Sequence, residues 1–468
     1  MTKTALLFVF FFFQSTSGGK PIYDSPEDEL VFLQAVWRHG DRSPTKTFKT
    51  DPYKQDSWPQ GFGQLSPKGM EQMVYLARNR LKPRYIDNLK FLSKNYHSKE
   101  VYIRSTDVNR TIASAFSHNI GMYRDNARRG IDYPDCDSCW AEGFVPIAIH
   151  TIPDHTDYTL NPDSECPRQD DLMDLVFDGP QYQEYFENRK KLFDYLSEHA
   201  GQSIEPSNID ILYDALYIEM LYNRTWPDWI RNKKWDGKPI FDVINETNCI
   251  MEQWANGINL EPYKGVDFKS EIPKIRGGTL LWSIIGHLEM KKRCLLNPEK
   301  HHCHYMNQLK YYAYSAHDTT IAALFSTLGF KKTNFNQDGY PRYTSCVTVE
   351  FWRRKNIDRN KFYVKFIYWP LDEVEEDVTN EITGCSDPCP LEKLIERSLP
   401  YKASPDPETW CNTPLFDSMG RVQQPQEKNQ KPETKNEDEQ RNFWTEIGSN
   451  IKYIFFDSWT PFFSLKED

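Results

Sequence analysis

Positive charge is scarce in this 468-residue chain. Its 57 Lys and Arg face 67 Asp and Glu, for a net charge of −10. That balance excludes a broad basic surface for nucleic acid, so any anion must be met by a local cluster. Long apolar runs are missing too. After Phe13 no segment approaches the ~20 uninterrupted apolar residues of a spanning helix, so no transmembrane anchor is expected. The aromatic end "IKYIFFDSWTPFFSLKED" is broken by Lys452, Asp457 and Pro461. There is no repeat of solenoid type and no glycine-rich phosphate loop, since "RGG" (Arg276–Gly278) lacks the Lys-Ser/Thr ending. "HHCH" (His301–His304) does not suit a metal, because four consecutive residues cannot all converge on one tetrahedral ion. Neither a metal nor a cofactor is expected.

What is present begins with Lys3 and nine apolar residues, Ala5 to Phe13, followed by small polar ones. This is the layout of a secretory signal peptide over residues 1–18. Ten cysteines, an even number, fit an oxidising compartment, secreted or lumenal. Close spacing pairs Cys136 with Cys139 and Cys385 with Cys389, and Cys294 is assigned to Cys303. Sequons at Asn223 and Asn245 are expected to carry glycans, whereas Asn109 falls inside a predicted helix.

Val31–Trp37 reads as a strand by its β-branched and aromatic content. Ser66 is placed as N-cap of a helix with Pro67 at its first position. A short strand, Val101–Ile103, leads to a helix with Val108, Ile112, Ala115, Phe116 and Ile120 on its apolar face. "LKYYAYSAHDTTIAALFSTLGF" repeats the pattern: strand, polar corner at His317–Asp318, helix. Further strands are predicted over Tyr343–Trp352 and Phe362–Tyr368. Residues 155–300 show helical patterns without a clear strand, and 416–468 read as a low-complexity tail. The fold class that follows is α/β. A central, mostly parallel sheet flanked by helices is built from residues 28–154 and 301–415, with 155–300 inserted as a mostly helical cap.

Three segments thus put polar residues directly after a strand: Arg38, His39 and Arg42; Arg104; and His317 with Asp318. In an open α/β sheet such strand ends share one edge, where ligands bind. Arginine offers a rigid fork for phosphate oxygens, histidine can carry a phosphoryl group, and a carboxylic acid can protonate a leaving alcohol. Two plainer readings stand beside this one. Asp318 also suits the N-cap of its helix, and Arg104 suits an ion pair with Asp107.

"RHGDRSP", "SWPQGFGQLSPKGMEQ", "VYIRSTDVNRT", "YSAHDTT" and "GCSDPCPLEKL" resemble, in order, the blocks of the histidine acid phosphatases, within the wider histidine phosphatase superfamily. The resemblance runs from Glu29 to Cys411. It implies His39 as nucleophile, Asp318 as proton donor, and Arg38, Arg42, Arg104 and His317 as ligands of a small phosphate monoester. It also implies a metal-free reaction, a homodimer by fold analogy, and a Cys166–Cys411 disulfide, which leaves Cys249 with Cys346. The family's cysteine in the block resembling "YDALYIEMLYNRTWPDW" is replaced by Ile218, so one family disulfide does not carry over. Two alternatives remain at this point. One is a phosphatase specialised for an inositol phosphate or a lysophospholipid; the other is a non-catalytic phosphate-binding protein.

Overall fold

A computed structural model describes residues 24–301, 303–329, 341–355, 361–371 and 373–425. The expected signal peptide and the tail from residue 426 lie outside the described residues. The strand read at Val31–Trp37 is β1 (Asp28–Arg38), buried continuously from Leu30. A run buried on both faces belongs at the centre of a sheet. β1 pairs in parallel with β6 (Tyr311–Ala316) and antiparallel with β7 (Cys346–Arg354). Beyond β6 lie β2 (Val101–Ser105) and β3 (Ile149–His150), both parallel. Beyond β7 lies β8 (Phe362–Trp369), flanked by the short β9 (Glu376–Asp377) and β10 (Cys389–Pro390), all antiparallel. The expected α/β sheet is therefore mixed, and its parallel half carries the corners picked out above.

Helices α1 (Pro67–Tyr75) and α2 (Asn109–Tyr123) cover one face of the sheet, with Met73, Ala115 and Met122 packed on Trp37, Ile103 and Ala313. Ser66 caps α1, accepting from Gly69 N at 3.0 Å, as the sequence predicts. The apolar face assigned to α2 is corrected. The helix buries Thr111, Ser114, Ala115, His118 and Met122, while Phe116 stays exposed. Two polar members of the buried face have partners: Ser114 accepts from Gly40 N, and the His118 ring stacks on Trp37 and meets the Tyr311 hydroxyl. Polar side chains satisfied in this way can be buried at little cost.

The region 155–300 contributes α3 (Pro167–Asp178), α4 (Pro180–Glu187), α5 (Lys190–Ala200), α6 (Asp210–Leu221), α7 (Asp228–Arg231), α8 (Ile240–Ala255), α9 (Phe268–Arg276) and α10 (Gly278–Leu296). Between α7 and α8 sits a hairpin, β4 (Lys234–Trp235) and β5 (Lys238–Pro239), which the sequence reading does not include. Helices α5 to α8 share a core of their own around Leu196, Leu216 and Ile244. α10 does not join it. Leu281, Ile284 and Leu288 pack on the second face of the sheet, against Phe32, Tyr314 and Val349. The same layer holds α11 (Cys303–Gln308), α12 (Asp318–Leu328) and α13 (Leu391–Ser398). The last helix, α14 (Pro407–Asn412), packs with α3 and α9. Residues 416–425, counted with the tail from sequence, fold back there as well: Phe416 and Val422 rest on that cluster, and Gln423 O accepts from Arg168 Nη2 at 2.8 Å. No helix among the described residues is long and apolar enough to cross a membrane.

Disulfides join Cys136–Cys139, Cys166–Cys411, Cys294–Cys303 and Cys385–Cys389. The fifth pairing is corrected, because Cys249 and Cys346 are not joined. Cys346 opens β7 inside the sheet core, and burial raises its thiol pKa. Cys249 lies on α8 in the cap, its thiol 3.7 Å from Asn245 Oδ1.

Candidate active site

β1 and β6 are neighbours, but their chains leave in opposite directions. After β1 the chain crosses through α1 to β2; after β6 it crosses through α12 to β7. The ends of two such strands splay apart and leave a crevice. Arg38 pairs with Ala316, and His39 N donates to Ala316 O at 3.0 Å, so residues 39 and 317 stand side by side. Their rings meet edge to face, with centroids 5.6 Å apart.

The turn after β1 is possible only because two glycines touch. A Cβ on Gly40 would stand 2.2 Å from Gly69 O, and one on Gly69 would stand 2.2 Å from Asp41 O. Glycine inside α1 costs helix stability, and the close approach explains its presence. Asp41 completes the joint: its N–H donates to Gln72 Oε1 at 2.8 Å and its carboxylate accepts from Ser66 Oγ at 2.5 Å. Tyr222, just after α6, adds its hydroxyl to the same carboxylate. Asp41 is thus a hub of the fold at the edge of the site.

His39 is 1% exposed. Its Nδ1–H donates to Gly40 O at 2.8 Å, which leaves the lone pair on Nε2. Burial, then the charges of Arg110, Arg38, Arg42 and His317, hold its pKa well below the usual histidine value. The imidazole is therefore neutral at neutral pH. His317 is pushed down to about 3, by burial first and Arg110 second, with Asp318 opposing. Arg110 Nη2 lies 3.3 Å from His317 Nδ1, and Thr106 Oγ1 lies 3.0 Å from Nε2. An arginine only donates, so Nδ1 accepts and Nε2 carries the proton toward Thr106.

Asp318 faces Arg38 Nη2 at 2.9 Å. Burial raises its pKa, but Arg38, Arg42 and His317 outweigh it and hold the carboxyl below its usual range. The N-cap of α12 is His317; Asp318 is the first helical residue. Arg38 also lies over the Tyr343 ring, 4.1 Å from its centroid.

Arg104 is corrected. It does not join this group, and its partner is Asp157 rather than Asp107. Successive strand residues point to opposite faces. Arg104 accordingly shares the α10 side of the sheet with Tyr102, and the other groups whose charges act on it are Tyr312 and Tyr314. The arginine that does reach His39 is Arg110, the second residue of α2. A cation in the first turn opposes the helix dipole. That local conflict is the sequence signal that marks Arg110.

Three arginines thus act on His39, but only two carboxylates answer them: Asp318 pairs Arg38 and Asp214 pairs Arg42. Arg110 has no ion pair among the described residues, and burial followed by Arg42 pulls its pKa down to about 10. The Nε–H groups of Arg38, Arg42 and Arg110 are all buried without a hydrogen-bond partner among the described residues. Buried unpaired donors with excess positive charge make a site for an anion. Beside it opens a cavity of about 550 Å³ lined by Tyr213, Tyr217, Phe241, Tyr343, Lys68 and Arg342, among others. Of the two expected glycosylation sites, Asn223 is exposed, while Asn245 is half-buried on α8 and lines this cavity.

The model of the histidine phosphatase superfamily (branch 2) matches residues 29–369. The chain belongs to that superfamily. It is 31% identical to human prostatic acid phosphatase over 375 residues, covering 79% of this chain and 84% of the relative. It is 30% identical to bovine lysosomal acid phosphatase over 381 residues, covering 79% and 78%. The solved apo phytase of Hafnia alvei shares the fold: TM-score 0.55 at 16% identity, covering 84% of this chain and all of that one (100%). As a member of this superfamily with acid phosphatase relatives, the chain is a phosphoric monoester hydrolase.

One buried group of this histidine phosphatase lies outside the crevice. Glu219 of α6 is fully buried beside Asp51, and burial, then the Asp51 charge, push its pKa up to about 9. The unfolded chain releases this proton near the ordinary carboxyl value, the native protein only near 9. Its contribution to stability is therefore complete below the ordinary carboxyl range and declines as pH rises toward 9. Glu219→Gln should flatten the fall in melting temperature between pH 5 and 8. Parallel melting curves for the two proteins would refute this.

Proposed function

We propose that the protein hydrolyses phosphate monoesters at acid pH through a phosphohistidine on His39, in a secreted or lumenal compartment. The observation that carries this is the set of three unpaired, buried guanidinium donors around a neutral imidazole. A dianionic phosphate on Arg38, Arg42 and Arg110 satisfies those donors, with His317 beside it. Nε2 of His39 attacks phosphorus as the ester P–O bond breaks, and Asp318 gives its proton to the departing alkoxide. Water then attacks the phosphohistidine, Asp318 takes the water's proton, His39 returns neutral and phosphate leaves. The guanidiniums stabilise the oxygens on which charge develops, a role a metal fills elsewhere.

Asp318 is held ionised in the free protein mainly by Arg38. A phosphate that engages Arg38 weakens that hold and lets the acid regain its proton, which supports an acid optimum. The aromatic wall of the cavity, Tyr213, Tyr217 and Phe241, suits an organic leaving group better than a ring of further phosphates. Eight of the ten cysteines are joined in disulfides, which fits an oxidising compartment.

The test is phosphate release from nitrophenyl phosphate, an alkyl phosphate and phytate between pH 3 and 8, with EDTA or vanadate present. Turnover of the first two with an acid optimum, blocked by vanadate and indifferent to EDTA, is expected. Activity lost in EDTA and restored by a divalent ion would overturn the mechanism. Phosphate bound without turnover would point to a binding protein.

A further inference from the structure

α6 belongs to the cap, yet residues in and just after it reach the loop that follows β1. Asp214 meets Arg42 and Thr45, Glu219 meets Asp51, and Tyr222 meets Asp41. The first of these contacts bears directly on the anion site. Asp214 Oδ1 forms an ion pair with Arg42 Nη2 at 3.0 Å, and Oδ2 accepts from Arg42 Nη1 at 3.0 Å. Oδ2 also accepts from Thr45 N at 3.0 Å and Thr45 Oγ1 at 3.2 Å. One carboxylate from the cap therefore fixes both the guanidinium and the loop that carries it.

Counting N–H groups shows what is left. Nη1 uses both of its hydrogens, on Asp214 Oδ2 and on Ser43 O at 3.1 Å. Nη2 faces Asp214 Oδ1 in the ion pair, and Nε–H is buried and unpaired among the described residues. The two remaining donors, Nε–H and the second Nη2–H, lie along one edge of the guanidinium plane. Such an edge is a two-pronged donor for a phosphate oxygen pair.

We propose that Asp214 is a positioning residue for phosphate binding: it occupies the end-on fork of Arg42 and presents the side edge to the substrate phosphate. The proposal rests on the phosphatase reading above. It makes the cap part of the phosphate site as well as a wall of the leaving-group cavity. It also accounts for a second carboxylate being tolerated beside an anion site. Asp214 neutralises an arginine whose burial would otherwise be costly, and does so from the side the phosphate does not use.

The test is a double-mutant cycle on the full chain, reading inhibition by inorganic phosphate together with kcat and KM for nitrophenyl phosphate. Asp214→Ala should raise the phosphate Ki and lower kcat/KM about 100-fold, the scale of a misplaced binding group. Asp214→Asn keeps one acceptor and should fall between. With Arg42→Ala already in place, Asp214→Ala should have almost no further effect. A merely structural Asp214 would instead lower the melting temperature, leave Ki alone and add its effect to that of Arg42→Ala. Either an unchanged Ki or additivity overturns the proposal. Should Asp214→Ala fail to fold, the isosteric Asp214→Asn decides, and an unchanged Ki in it is equally fatal. Failure of the phosphatase reading looks different: Arg42→Ala itself would then leave Ki and turnover as in the unmodified protein.

Discussion

His39→Ala removes turnover, by on the order of 10⁴-fold or more, while the protein stays folded and still binds phosphate. The size follows from the role: without a nucleophile the covalent route is closed, and only binding and charge stabilisation remain. The fold should survive because the ring makes one hydrogen bond among the described residues, to its neighbour Gly40, while the turn is held by Gly40, Gly69 and Asp41. Removing a neutral ring leaves the three arginine charges in place, so phosphate affinity should change little. Two measurements check this. Steady-state assays give the loss, and equilibrium binding of phosphate shows whether the site is still formed. In the unmodified protein, labelled substrate followed by an alkaline quench, in which phosphohistidine survives, should leave label on one peptide containing His39. Label on a serine, a cysteine or another histidine would remove the nucleophile assignment.

Asp318→Asn should slow phosphorylation by alkyl phosphates about 10²–10⁴-fold, the usual worth of a general acid. Nitrophenyl phosphate should be affected far less, because nitrophenolate departs without a proton. The comparison belongs in single-turnover experiments that read the release of alcohol or nitrophenol. In steady state the second half-reaction, where the same carboxylate takes a proton from water, would slow both substrates alike. The replacement also removes the negative charge that faces Arg38 Nη2 at 2.9 Å, so phosphate affinity should hold or improve. Equal slowing of both substrates in the first step would mean that Asp318 only places Arg38.

Strand β1, the Ser66 cap, the corner at His317–Asp318 and the short disulfide loops were legible because each depends on neighbours within a few residues. One choice was not legible because it turned on direction. Arg104 and Arg110 lie in one block, "VYIRSTDVNRT". Which of them meets His39 depends on the strand's alternation and on where the first turn of α2 comes to rest. Asp157, which holds Arg104, and Asp214, which holds Arg42, lie 53 and 172 residues away from their partners. No local pattern marks either pairing. The place of α10 was not legible for a related reason: only packing shows that it covers the sheet.

The sequence by itself determined the chemistry: a histidine between two arginines after a buried strand, and an acid beside a second histidine after another. These residue types admit few reactions other than phosphoryl transfer, and they sit close enough in sequence to be read together. The tertiary structure alone decided which arginines gather around His39. Burial makes an unpaired guanidinium costly, and the partners that Arg104 and Arg42 find come from distant parts of the chain. Arg104 is taken up by Asp157, and Arg42 is half taken up by Asp214. Arg110 has no ion pair among the described residues, and its charge acts on His39.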